Sequence, residues 1–182
     1  MSKRVREGLF LFVKMTDNDR MPGTMLVGII SDSHDHLDNI ERAMQRFERE
    51  EVSRILHPGD IVAPFAARLL QERCLCPLDI IYGNNDGERD GLAEVFPEIC
   101  DGPVMIRLGD LDVAMDHYPP SNQHPPLDGA RVILFGHTHQ IVNEDRDGIL
   151  FLNPGESCGW VTGKATVALL ETDTLKVEVI AL

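Results

Sequence analysis

Seven side chains in this sequence have the chemistry to hold divalent metal ions: Asp32, His34, Asp60, Asn84, His117, His137 and His139. Each set follows a short apolar run. Asp32 and His34 lie in Ser31-Asp32-Ser33-His34, Asp60 in Gly59-Asp60, and Asn84 in Gly83-Asn84. His117 comes shortly after Val113-Ala114-Met115, and Gly136-His137-Thr138-His139 follows Ile133-Leu134-Phe135. Imidazole suits Mn²⁺, Fe, Zn²⁺ or Ni²⁺ better than Mg²⁺ or Ca²⁺, which prefer oxygen. Seven ligands are too many for one such ion and match two. A carboxylate can bridge two metals, and Asp60 stands in the middle of the set. Two ions about 3.5–4 Å apart polarise a phosphoryl oxygen and activate a bridging water together.

Single members of the set are weak signals. A Gly-Asp pair after a strand is ordinarily a turn, and Asp-x-His is short enough to arise by chance. His137-x-His139 is more pointed, because two imidazoles can reach one cluster. His124, beside Pro125-Pro126, reads as a solvated loop residue. For His36 and His57, which flank proposed ligands, a hydrogen-bonding or packing role is at least as well founded as a ligand role. The inference rests on the ordered set, always at strand ends.

The elements that must position these residues follow from hydrophobic periodicity. Residues 25–30 read as a buried strand. Leu37, Ile40, Met44 and Phe47 have helical spacing, which predicts a helix over about 37–51. Residues 54–57 read as a strand, 63–72 as a helix and 78–82 as a strand, giving a β-α-β-α-β run and a parallel sheet. Beyond it come strand pairs at 104–108 and 111–115 around Gly109-Asp110, and at 141–144 and 149–152 around Asp147-Gly148. A buried strand is predicted at 132–135, and a last pair at 165–171 and 175–182. The pattern is α/β with two packed sheets. Ligands of open α/β sheets bind beyond the carboxyl ends of the strands; if the strands are parallel neighbours, five loops converge on one place. Residues 1–24 are locally basic and turn-rich. They read as an N-terminal extension, disordered or an artefact of start-codon choice, with a strand over 8–14 weakly supported. The domain proper is expected over 25–182.

Composition narrows the function class. A chain of 182 residues fits one domain. The net charge of -13 repels phosphates at long range, which argues against extended nucleic acid as a partner. A small phosphorylated substrate then needs local positive charge, which bound cations supply. Cys74, Cys76, Cys100 and Cys158 form no C-x-x-C pattern and read as free thiols of a reducing cytoplasm. No apolar run approaches the ~20 residues of a membrane span, and the apolar stretch at 8–13 does not read as a signal peptide. A homo-oligomer is compatible with all of this.

Asp32-x-His34, Gly59-Asp60, Gly83-Asn84, His117 and Gly136-His137-x-His139 together resemble the calcineurin-like metallophosphoesterases, and most of all their small single-domain phosphodiesterases. The resemblance covers Met25 to Leu182. It implies an α/β fold, a four-layer α-β-β-α sandwich of two mixed sheets, with a dinuclear site at the sheet edges. Carried over by position, Asp32, His34, Asp60 and His139 would bind one metal, and Asp60, Asn84, His117 and His137 the other. The metals expected are two divalent transition ions, Mn²⁺ first, with Ni²⁺, Fe or Zn²⁺ as alternatives. The family mechanism is in-line attack on phosphorus by a bridging hydroxide. Asn84 and His117, together with Asp86, are the residues expected to serve catalysis directly.

Two departures from the family pattern stand out. Many members carry a His directly after the metal-binding Asn, where this chain has Asn85. A neutral amide cannot donate a proton as an imidazolium can, which leaves Asp86, His36 or a metal-bound water for the leaving group. His117 is followed by Tyr118-Pro119-Pro120, where the family often has Gly. Asn153-Pro154-Gly155-Glu156-Ser157 resembles the family's Asn-Pro-Gly-Ser turn, with the negative charge of Glu156 where related sequences commonly have Ser, and reads as a tight turn. The alternatives are a phosphomonoesterase or nucleotide pyrophosphohydrolase, or a non-catalytic interaction scaffold such as the superfamily's small retromer subunit.

Overall fold

The computed structural model of the chain describes residues 13–14 and 24–182. In chain order the strands are β1 (Val13–Lys14), β2 (Leu26–Ile29), β3 (Arg54–His57), β4 (Leu78–Tyr82), β5 (Cys100–Asp101), β6 (Val104–Leu108), β7 (Leu111–Met115), β8 (Val132–Leu134), β9 (Ile141–Arg146), β10 (Ile149–Pro154), β11 (Thr166–Glu171) and β12 (Val177–Ala181). The helices are α1 (Leu37–Arg49), α2 (Pro64–Arg73) and α3 (Arg89–Val95). Of the strand expected over 8–14, Val13–Lys14 is described and pairs parallel to β6. The rest of that expectation, with residues 1–12 and 15–23 of the extension, lies outside the described residues.

Among the described residues the strands form two mixed sheets, ordered β12-β11-β2-β3-β4-β5 and β1-β6-β7-β8-β10-β9. The parallel core of the first sheet is β2, β3 and β4, the β-α-β-α-β run expected from the sequence. Its strands are apolar on both faces, as strands covered on both sides must be. Val27, Ile29, Leu56 and Ile81 face the second sheet, where they meet Ile106, Val113, Val132 and Leu152. Ile55 and Ile80 face the helices and meet Ile40, Met44, Phe47, Leu70 and Leu92. The outer face of the second sheet is covered by Leu127 and Ala130, which pack on Met105 and Ala114. That layer is loop rather than helix among the described residues. No helix of the described residues is long and apolar enough to cross a membrane.

Helix α1 forms because Ile40, Ala43, Met44 and Phe47 make one buried stripe at helical spacing. Phe47 lies against β2 at Gly28, where a Cβ would come within 2.9 Å of its ring. Pro64 opens α2 at the position where proline's missing N–H costs nothing. Replacing Gly28 with Ala should therefore push α1 off the first sheet. The expected loss is about 1–3 kcal/mol of stability, read as a lower midpoint in urea. An unchanged midpoint would show that this contact gives way freely.

Candidate metal centre

The strand ends that carry the seven residues come from both sheets. Asp32 and His34 follow β2, Asp60 follows β3 and Asn84 follows β4 of the first sheet. His117, His137 and His139 follow β7 and β8 of the second, which run parallel to each other. The convergence expected within one sheet is thus completed across the sandwich. Backbone hydrogen bonds join the loops: Ser33 and His34 N–H both donate to Asp60 O, at 2.9 and 3.1 Å, and Asp32 N–H donates to Gly59 O at 3.2 Å. Across the sheets, His137 N–H donates to Asp32 Oδ1 at 3.2 Å. Gly136 permits this approach, since a Cβ there would sit 2.2 Å from Ser31 Oγ and 2.6 Å from Asp32 Oδ2.

Five of the seven residues have left-handed backbone: Asp32 at φ 51°, His34 at 39°, Asp60 at 62°, His137 at 62° and His139 at 59°. Asp and His enter this region more readily than most residues. Such a concentration at one place is the mark of a site whose side-chain directions outweigh local comfort.

The atoms that meet at the centre are nearly all acceptors. Pro58 O lies 2.9 Å from His117 Nδ1. A carbonyl only accepts, so Nδ1 carries the proton and Nε2 is left with a lone pair. That Nε2 faces Asn84 Oδ1 at 2.8 Å and Asp60 Oδ2 at 3.5 Å. Glu156 Oε2 likewise accepts a hydrogen bond from His139 Nδ1–H at 2.8 Å, leaving its Nε2 toward Asp32 Oδ1 at 3.5 Å. His34 Nε2 is buried with no hydrogen-bond partner among the described residues, 3.5 Å from Asp60 Oδ2. His137 Nδ1 lies 2.8 Å from Asn84 Oδ1. At His117 and His139, whose Nδ1 protons are committed, the Nε2 lone pair faces oxygen lone pairs, an arrangement that a cation satisfies. The groups Asp32–His34–His139 and Asp32–Asp60–His117 each bring their ligand atoms within 4.8 Å of one another. The donor set therefore fits divalent ions.

Burial gives the centre a closed side and an open side. Asp32, Asp60 and His117 are at most 1% exposed, whereas Asn84 and His137 are exposed. Burial pushes the Asp32 carboxyl above its ordinary range, against the pull of the Ser31 hydrogen bond and the His117 and His139 imidazoles. Burial also lowers His137, and neighbouring His117 adds to this. Beside His139 opens a cleft of about 450 Å³ whose lining includes Ile141, Val161 and Lys164.

The residues around the set have distinct duties. Asp86 is buried and accepts three backbone N–H groups, from Gly83 at 2.6 Å, Val62 at 2.7 Å and Asp60 at 3.0 Å. Both its oxygens are engaged, so Asp86 is placed to hold the β3 and β4 loops together rather than to protonate a leaving group. Asn85 donates its backbone N–H to Asp60 Oδ1 and its side-chain amide to Asp60 Oδ2, each at 2.8 Å. The residue that departs from the family pattern thus aims the central carboxylate. His36 caps α1 through Nδ1, 3.4 Å from Asn39 N–H. His57 is fully buried, and burial holds it down at about 3. Its neutral ring accepts from Gly59 N–H at 3.2 Å and lies 3.3 Å from Ser33 Oγ, a structural role. His124 contacts Asp116 at 3.4 Å and sits outside the cluster.

Glu156 has a role that the sequence reading did not assign. It is fully buried. Burial opposes its charge, but hydrogen bonds from Cys158, Thr162 and His139 prevail and hold the carboxyl at about 2. An ionised carboxylate behind a ligand imidazole fixes the tautomer and raises ligand basicity. The signal in the sequence was the acidic residue itself, in a turn where the resemblance led to Ser. Asn153 works beside it. Its amide donates to Gly136 O at 2.7 Å and to Thr138 Oγ1 at 3.1 Å, while its Oδ1 accepts from Gly155 N–H at 2.9 Å, closing the expected turn.

The chain is similar in sequence and in fold to known proteins. Residues 25–175 match the model of the calcineurin-like phosphoesterase superfamily domain. The chain is 36% identical over 160 residues to the phosphodiesterase MJ0936 of Methanocaldococcus jannaschii, covering 82% of this chain and 94% of that protein. A solved archaeal phosphodiesterase superposes with a TM-score of 0.76 at 33% identity, covering 87% of this chain and all of the other, 100%. Vps29 of Chaetomium thermophilum shares the fold, with a TM-score of 0.62 at 15% identity over 87% of this chain and 94% of its own.

Two expectations follow. Binding of Mn²⁺ should raise the thermal midpoint, with a gain of about 2.7 kcal/mol when free ion stands at 100 times its dissociation constant; a midpoint indifferent to metal and to chelator would contradict the fit. Substituting Glu156→Ala frees the His139 ring, and calorimetry should show Mn²⁺ bound about 10- to 100-fold more weakly. Unchanged affinity would reduce Glu156 to a loop anchor.

Proposed function

The chain belongs to the calcineurin-like phosphoesterase superfamily, and we propose that it is a phosphodiesterase that hydrolyses small phosphate diesters with two divalent transition metal ions. The observation that carries this reading is the ring of lone pairs at the strand ends, with Asp60 Oδ2 at 3.5 Å from both His34 Nε2 and His117 Nε2. Asp32, His34, Asp60 and His139 would hold one ion. Asp60, Asn84, His117 and His137 would hold the other, with Asp60 shared. Mn²⁺ is the first choice, and Ni²⁺, Fe or Zn²⁺ suit the same donors. Such ions supply Lewis-acid polarisation of a phosphoryl oxygen and an acidified water for in-line attack on phosphorus.

The protein's own contribution is positioning. Asn85 orients Asp60, Pro58 and Glu156 set the tautomers of His117 and His139, and Asp86 clamps the loops from behind. Asn84 and His137 form the open side by which an ester enters. The cleft of about 450 Å³ beside His139 is of the size that receives a small ligand, here one substituent of a diester. Asn85 cannot protonate a departing alkoxide, and the oxygens of Asp86 are engaged, so esters with acidic leaving groups are favoured. The charge of -13 disfavours extended nucleic acid. The free thiols of Cys74, Cys76 and Cys158 support a reducing, cytoplasmic setting, with residues 25–182 as the catalytic domain and 1–24 as an extension.

Loaded with Mn²⁺, the protein should hydrolyse bis(4-nitrophenyl) phosphate, and Asp60→Asn should slow this at least about a hundredfold. Equal rates for the two proteins, or no turnover with any of the four metals, would sink the reading.

A further inference from the structure

Trp160 stands with 64% of its surface exposed, and Val161 beside it with 69%. The indole lies next to the metal centre: its centroid is 6.4 Å from that of His34 and 5.8 Å from that of His36. The rings are tilted, at 35° and 42°, rather than stacked. Tyr118, the aromatic residue on the other flank, is differently placed. It packs 4.2 Å from His124 and 4.7 Å from His137 and is only partly exposed. Trp160 is thus the large apolar ring that this site presents to solvent.

The indole is also carried on an anchored loop. Glu156 Oε1 and Oε2 accept from Val161 N–H at 3.0 and 3.1 Å, and Oε1 accepts from Thr162 N–H and Oγ1 at 2.5 and 2.7 Å. On the other side of Trp160, Asn39 Nδ2 donates to Ser157 O at 2.9 Å and Cys158 O at 3.3 Å. Cys158 N–H donates to Asp32 O at 3.2 Å. The chain on both sides of the indole is therefore tied to the framework of His139 and Asp32. A flat ligand that stacks on a pre-positioned ring loses less to ordering than one that must fix a mobile loop.

We infer that Trp160 is a stacking platform for a nucleobase, so that the substrate is a small nucleotide ester whose phosphate lies at the metal centre. This rests on the phosphodiesterase reading above. Stacking on an aromatic ring accepts any base. The charge of -13 restricts the ligand to few phosphates, because each added nucleotide brings another anion into a negative field.

Trp160 is the chain's only tryptophan, so intrinsic fluorescence reports this position alone. In the Mn²⁺-loaded protein, AMP should quench it saturably, while ribose 5-phosphate and inorganic phosphate should not. By calorimetry, Trp160→Ala should bind AMP about 10- to 100-fold more weakly. Trp160→Phe should keep most of the affinity, and both variants should bind ribose 5-phosphate as the wild type does. Unchanged AMP affinity in Trp160→Ala, or an equal loss for ribose 5-phosphate, overturns the platform. These readouts need no turnover, so they are separate from the phosphodiesterase test. Hydrolysis of bis(4-nitrophenyl) phosphate without any preference of AMP over ribose 5-phosphate leaves the enzyme reading standing and removes this one.

Discussion

The burial of two carboxylates among imidazole lone pairs is the constraint on which this molecule turns. Asp32 and Asp60 are essentially withdrawn from water, and an isolated carboxylate in such a place costs several kcal/mol. The chain meets part of that cost with its own donors: His137 N–H and Ser31 Oγ to Asp32, and the backbone and side chain of Asn85 to Asp60. The rest is left open on the side where His34, His117 and His139 present nitrogen. Local donors hold the carboxylates still, and the unmet charge defines what the centre will accept.

Holding those side chains inward bends the backbone against its preferences. A left-handed residue costs roughly 1–2 kcal/mol, and five of the seven central residues adopt that conformation. The sum is comparable with the whole stability of a domain, about 5–15 kcal/mol. It is sustained by concentrated backbone pairing. Asp86 collects three N–H groups, and the β2 and β3 loops are stitched to each other residue by residue. Behind them lie the two apolar layers of the first sheet, which give the loops a rigid base.

The parts of the fold that were legible in the sequence are those with a strong period. Residues 25–82 show it best: α1 announces itself through Ile40, Met44 and Phe47, and the strands through unbroken apolar runs. Helix α3 and strand β5 were not read. The first is a single short helix interrupted by Gly91, and the second has two residues, too few for either period to register. The proposed metal set was legible as an order of residue types at strand ends. Its distribution over two sheets was not, because sequence gives no register between strands that are far apart. Nor were the duties of Asn85, Asp86 and Glu156. Each acts through the backbone or ring of a residue brought near only by folding, and a carboxylate engaged by three amides has the same letter as a free one. His117, although followed by the atypical Tyr118-Pro119-Pro120 segment, sits within the cluster, with its orientation set by Pro58 O.

Glu156 joins two things that a protein would otherwise be free to vary apart. One carboxylate fixes the tautomer of His139 and also gathers the amides of Val161 and Thr162. A lengthened or reshaped loop would draw Glu156 away from His139, so the orientation of that ring and the shape of the rim are coupled. Side chains that point outward from the loop, such as those at 160 and 161, can change without disturbing that carboxylate. Change at this rim that leaves the carboxylate in place is therefore confined to side-chain exchange on a backbone of fixed length.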